Sequence, residues 1–156
     1  TIDLPVVDLV IQRNKNDIPD KAVSRASLHG KVVVLVDDED DARAALKIFL
    51  EEQGMRVLEA ESADAALTIQ DEFDDPIDLL MSDIRMPGGL YGDDLARLWR
   101  DIRPDSKIVL MSGFTENRAV DGDIADTFMP KPIDFGALPR LLQNVFVSSS
   151  RQKIGA

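Results

Sequence analysis

The chain has 156 residues, no Cys, and 29 acidic against 18 basic side chains, for a formal net charge of -11 and a pI near 4.4. About 150 residues bury roughly two-thirds of the unfolded chain's surface, so one core needs no disulfide, and a Cys-ligated metal site is excluded. The longest apolar run, Val32 to Val36, is far short of the roughly 20 residues that span a bilayer, no signal-peptide pattern opens the chain, and the acidity argues against nucleic acid as a direct partner.

These features lead us to expect a cytoplasmic segment without membrane contact of its own. Residues 1–30 balance four acids with four bases and lack a core-forming stripe, so they read as a linker. Residues 31–147 hold 25 acids and 12 bases, and residues 148–156 form a tail with only Arg151 and Lys153 charged.

Within 31–147 the elements alternate. Val32 to Val36 is apolar and β-branched throughout, as in a strand buried on both faces. Asp37 to Asp41 is polar, then Ala42, Ala45, Leu46, Phe49 and Leu50 recur at helical spacing up to Gly54, placed for a helix C-cap. Arg56 to Ala60 reads as a second strand, and Ser62 as the N-cap of an alanine-rich helix to Phe73. Ile77 to Ser82 is a third strand. Leu95, Leu98, Trp99 and Ile102 recur at helical i, i+3, i+4, i+7 spacing, with Trp99 read as facing the core, and Pro104 ends the helix. Lys107 to Met111 is a fourth strand, Glu116 to Val120 a weakly patterned helix, and Thr127 to Met129 a minimal fifth strand. Leu138, Leu141, Leu142, Val145 and Phe146 mark the last helix, whose first turn begins near Gly136 so that Pro139 is tolerated.

Strands alternating with helices imply an α/β fold, a doubly wound five-stranded parallel sheet with helices on both faces. In such sheets function sits at the carboxyl ends of the strands. The residues there are Asp37 and Asp38 after the first strand, Asp83 after the third, Ser112 after the fourth and Lys131 after the fifth. Three close carboxylates repel unless a cation neutralises them. A hard divalent ion such as Mg2+ does so while leaving room for phosphate oxygens. An ammonium and a hydroxyl complete a set suited to phosphoryl transfer onto a carboxylate.

Four motifs carry a resemblance: Val-Leu-Val-Asp37-Asp38-Glu39-Asp40, Leu-Leu-Met-Ser-Asp83-Ile-Arg-Met-Pro87, Ile-Val-Leu-Met-Ser112-Gly113 and Phe128-Met-Pro-Lys131-Pro132. In order, over residues 31–147, they resemble the response-regulator receiver domain of two-component phosphorelays. The resemblance implies a flavodoxin-like sheet of order 2-1-3-4-5. It also implies that Asp83 accepts a phosphoryl group from phosphohistidine in a Mg2+-dependent reaction. Asp38, Asp83 and the backbone carbonyl of Arg85 would ligate Mg2+, with Asp37 holding a metal-bound water. Lys131 would pair with the phosphoryl oxygens, Ser112 would turn toward them, and Phe128 would be the switch aromatic. The Lys131–Pro132 bond is often cis in such domains.

The resemblance also implies partners: a histidine kinase or a histidine phosphotransfer protein, and a homodimer through the face formed by the fourth helix, fifth strand and fifth helix. Self-phosphorylation and autodephosphorylation are the only chemistry expected of the segment itself. Departures from the usual pattern bear on output. The run from Pro87 to Gly92 is one residue longer than usual, only 19 positions separate Ser112 from Lys131, and Phe128 lacks a hydroxyl.

Blander readings apply elsewhere. Asp40 and Asp41 suit the positive end of a helix dipole, Asp71, Glu72, Asp74 and Asp75 a solvated helix end, and His29 a linker. Thr1-Ile2-Asp3-Leu4-Pro5 resembles the last strand of a histidine-kinase ATP-binding domain, and the initial Thr suggests an excised piece. The parent is then a hybrid sensor kinase ending in a receiver. The competing enzyme reading is a haloacid-dehalogenase-like phosphohydrolase with Asp38 as nucleophile, which leaves the Asp83-Ile-Arg-Met-Pro run unexplained. A flavodoxin-like cofactor binder would want a phosphate loop after the first strand, which is missing.

Overall fold

The computed structural model describes residues 28–86, 90–113 and 124–155, with side chains to residue 147. Residues 1–27 of the linker expected over 1–30, residues 87–89 of the lengthened run from Pro87 to Gly92, and the weak helix at 116–120 lie outside the described residues. The described elements are β1 (Val32–Val36), α1 (Asp40–Glu52), β2 (Arg56–Ala60), α2 (Ala63–Glu72), β3 (Leu79–Asp83), α3 (Gly92–Ile102), β4 (Lys107–Ser112), β5 (Thr127–Pro130) and α4 (Leu138–Gly155).

The five strands form one parallel sheet in the order β2-β1-β3-β4-β5. Because side chains alternate across a strand, the apolar runs of β1, β3 and β4 divide into two cores. Val34, Val36, Leu80, Ile108 and Leu110 face Ala63 and Ala66 of α2 and Leu95, Ala96 and Trp99 of α3. Val33, Leu35, Leu79, Met81, Val109 and Met111 face Leu46 and Leu50 of α1 and Leu138, Leu142 and Val145 of α4. Continuous apolar strands are what burial on both faces requires.

Local signals hold where they are stereochemical. Gly54 has φ +91° after α1, and the Ser62 hydroxyl accepts the Ala65 N–H at 3.1 Å. Trp99 is fully buried and donates to Ser106 Oγ at 3.1 Å, while that hydroxyl donates to the Ile77 carbonyl at 2.6 Å. Pro139 is the second residue of α4, where its missing N–H costs nothing.

Three differences have physical reasons. Strand β3 starts at Leu79 rather than Ile77 and ends at Asp83, whose ladder partner is Met111, while Ser112 and Pro130 likewise close β4 and β5 as a pair. Leu28, expected in the linker, is fully buried against the α1/α4 side. Its turn is tied by Gly30 N–H donating to the Gly54 carbonyl at 2.8 Å. Helix α4 continues into residues 148–155, expected to be a tail.

Candidate phosphoacceptor site

At the topological switch point, β1 and β3 end side by side and the chain leaves them toward opposite faces. Asp37 follows β1 directly, its N–H extending the ladder to the Ala60 carbonyl at 3.1 Å. Its side chain is wholly buried, and Oδ1 accepts the Glu39 N–H at 2.9 Å, which closes the acidic turn before α1. Asp38 is exposed on that turn. Asp83, the last residue of β3, is 7% exposed. Its Oδ1 accepts the Arg85 N–H at 3.2 Å.

Lys131 closes the set from the far end of β5. Its N–H donates to the Ser112 carbonyl at 2.8 Å, which fixes the chain. Its ammonium then reaches Asp83 Oδ2 at 2.9 Å and Asp37 Oδ2 at 3.3 Å. The Lys131–Pro132 bond is cis.

Burial pushes the Asp83 carboxyl above its ordinary value; the hydrogen bond and charge of Lys131 and the Arg85 N–H pull it back, and Asp37 adds to the rise. For Lys131 burial works downward, but the hydrogen bond and charge of Asp83, with Asp37 behind it, prevail and raise the ammonium above 10.5.

Asp37, Asp38 and Asp83 each offer one carboxylate oxygen, all within 4.8 Å of one another. The set is all oxygen, and with one ammonium beside it two negative charges remain in excess. That fits a hard divalent ion such as Mg2+. Arg85 is exposed, and its N–H rather than its carbonyl makes the contact with Asp83. Ser112 stands partly exposed at the end of β4, and Phe128 is half-buried against the α2/α3 core.

Two further residues shape the site. Gly92, the first residue of α3, donates its N–H to the Ile84 carbonyl at 2.7 Å. A Cβ there would collide with the Asp83 carbonyl oxygen and come within 2.8 Å of Ile84 Cα. Arg43 of α1 donates to the Asp37 carbonyl, to Asp40 Oδ1 at 2.7 Å and to Glu59 Oε1 at 3.1 Å. Sequence reasoning missed Arg43: its i, i+3 spacing from Asp40 is a signal that could have found that pair, whereas its hold on the Asp37 backbone has none. Asp40 and Asp41 are exposed at the helix start, and Asp71 and Glu72, at the end of α2, and Asp74 and Asp75, beyond it, are exposed.

Comparisons agree with this geometry. The family model for the response regulator receiver domain matches residues 33–143. Sensor kinase CckA of Brucella abortus is 34% identical over 139 residues, covering 83% of this chain and 15% of that kinase. The chain therefore spans a small part of the curated relatives it matches. The receiver domain of the hybrid histidine kinase CckA has a crystal structure with TM-score 0.61 and 33% identity over 72% of this chain and 96% of that one. The response regulator TrrA of Thermotoga maritima, in complex with Mg(2+)-BeF, has TM-score 0.65 and 29% identity over 74% of this chain and 98% of that one. The fold, the acidic pocket and the family match agree: the chain belongs to the response regulator receiver domains of two-component signalling systems.

Proposed function

We propose that Asp83 is the phosphoacceptor, and that Lys131, bonded at once to Asp83 and Asp37, is the observation that carries this assignment. Asp83 Oδ attacks the phosphorus of a phosphohistidine, the P–N bond breaks, and the imidazole leaves with its electron pair and takes up a proton. The Arg85 N–H and the Lys131 ammonium hold one carboxylate oxygen each, which orients the nucleophile before attack. Lys131 then pairs with the transferred oxygens, an electrostatic stabilisation aimed at charge that develops during transfer.

Asp37, Asp38 and Asp83, with the Arg85 carbonyl, would hold Mg2+, which supplies further neutralisation of the phosphoryl oxygens. The relation to TrrA, described with Mg(2+)-BeF, supports this reading. Ser112 turns its hydroxyl toward the new phosphate, and Phe128 repacks in response. The added charge of roughly -1.5 to -2 biases that two-state surface.

The partner is a histidine kinase or a histidine phosphotransfer protein. Beside Lys131 lies a groove of about 460 Å³ lined by Ala42, Ala45, Leu46, Pro132, Ile133 and Phe135, an apolar surface next to the phosphoacceptor. The parent is read as a hybrid kinase, and the cytoplasm as its compartment. Among the described residues no helix is long and apolar enough to cross a membrane.

Acetyl phosphate with Mg2+ tests the assignment. Wild type should gain the mass of one phosphoryl group, lost with EDTA and in Asp83→Asn. An equal gain in Asp83→Asn overturns it.

A further inference from the structure

Arg43 lies within α1, its side chain 15% exposed, and takes no part in the phosphoryl chemistry described above. Its guanidinium nitrogens reach three places: the Asp37 carbonyl at the end of β1, the Asp40 carboxylate at the start of α1, and the Glu59 carboxylate on β2. Glu59 is held in turn by Lys47 at 3.4 Å. The planar fork of Arg suits such a junction, because its donors leave in fixed directions.

The turn carrying Asp37 and Asp38 is thus anchored at two levels. On the inside the Asp37 carboxylate takes the Glu39 N–H. On the outside Arg43 grips the Asp37 backbone and Asp40 together. Exposed Asp38 lies between the two anchors and has to meet buried Asp37 and Asp83.

We propose that Arg43 is a positioning residue: it holds the acidic turn so that Asp37 and Asp38 converge with Asp83 as one cation-binding set. The inference rests on the phosphoacceptor reading above. Groups that orient ligands from behind typically alter metal affinity about 10- to 100-fold when removed. Electrostatics works in the opposite direction, since removing a cation near three carboxylates favours Mg2+ binding. The sign of the change therefore separates positioning from charge.

The test is calorimetric titration of MgCl2 into the wild-type chain, Arg43→Met, Arg43→Lys and Glu59→Gln, with folding checked by circular dichroism. Arg43→Met should bind Mg2+ about tenfold more weakly, and Arg43→Lys, with the charge but without the fork, should remain weaker than wild type. Glu59→Gln, which leaves the grip on Asp37 intact, should lose less. Phosphorylation by acetyl phosphate should recover in Arg43→Lys at saturating Mg2+. If Arg43→Met does not fold, Arg43→Lys carries the same comparison. Affinity equal to or tighter than wild type in the folded Arg43 variants overturns the inference alone. Failure of wild type to bind Mg2+ overturns the phosphoacceptor reading, and this inference with it.

Discussion

Lys131 Nζ lies 2.9 Å from Asp83 Oδ2 although 48 positions separate the two residues. Two strand ends bring them together: β3 ends on Asp83, and the chain after β5 is pinned by Lys131 N–H donating to the Ser112 carbonyl. With Asp37 as the second acceptor, the ammonium stabilises a metal-free pocket that would otherwise hold carboxylates alone.

Removing that ammonium leaves Asp37 and Asp83 buried without their cation. Lys131→Met should lose about 1–3 kcal/mol of stability in EDTA, seen by urea denaturation, and should gain more from added Mg2+ than wild type does. The raised pKa places the contribution of Lys131 in full below its ordinary 10.5, and it is lost only as pH rises through the higher folded value. The wild-type advantage over Lys131→Met should therefore be flat through neutral pH and shrink in alkali.

For Asp83 the sign reverses. Its folded pKa lies above the ordinary 3.8, so the charged carboxylate lowers stability once pH exceeds that range. Asp83→Asn should melt a few degrees higher than wild type at neutral pH without Mg2+, and the gap should close as pH falls toward 3.8. A lower melting temperature for Asp83→Asn at neutral pH contradicts this account of the pocket.

Gly92 leaves no room for a side chain, because a Cβ would collide with the backbone of Asp83 and Ile84. Gly92→Ala should cost about 1–3 kcal/mol, the usual range for forced overpacking, and should slow phosphorylation by displacing the end of β3. Denaturation and acetyl phosphate kinetics on the same preparation check both effects.

Ser106 links α3 to the segment just before β3, accepting from Trp99 Nε1 and donating to the Ile77 carbonyl, all within the core. Ser106→Ala strands both groups and should cost about 2 kcal/mol. Phosphorylation should be unchanged at temperatures where the variant is folded.

Much of this was legible in the chain itself. Three apolar runs, those of β1, β3 and β4, specify strands because a strand covered on both faces needs apolar residues on both, and Trp99 shows its burial through helical spacing with Leu95. The strand-end positions of Asp37, Asp83, Ser112 and Lys131 followed from the same pattern. Leu28 was not legible: an isolated Leu before His29 and Gly30 has no periodicity, and its burial depends on a turn tied to Gly54. Nor was the role of Arg43, whose bond to the Asp37 carbonyl involves a backbone atom that every residue carries. Asp78 and Asp126 behaved likewise, their carboxylates accepting the N–H groups of Val32 and Ile108, both at 2.8 Å. Such side-chain to backbone contacts leave no mark on hydropathy patterning.

The central claim is that Asp83 receives the phosphoryl group. After acetyl phosphate and Mg2+ treatment, borohydride reduction converts a phosphorylated aspartate to homoserine, which peptide mass spectrometry locates. The account predicts homoserine at position 83 and nowhere else in the wild-type chain. Homoserine at position 38, persisting in Asp83→Asn, would contradict it.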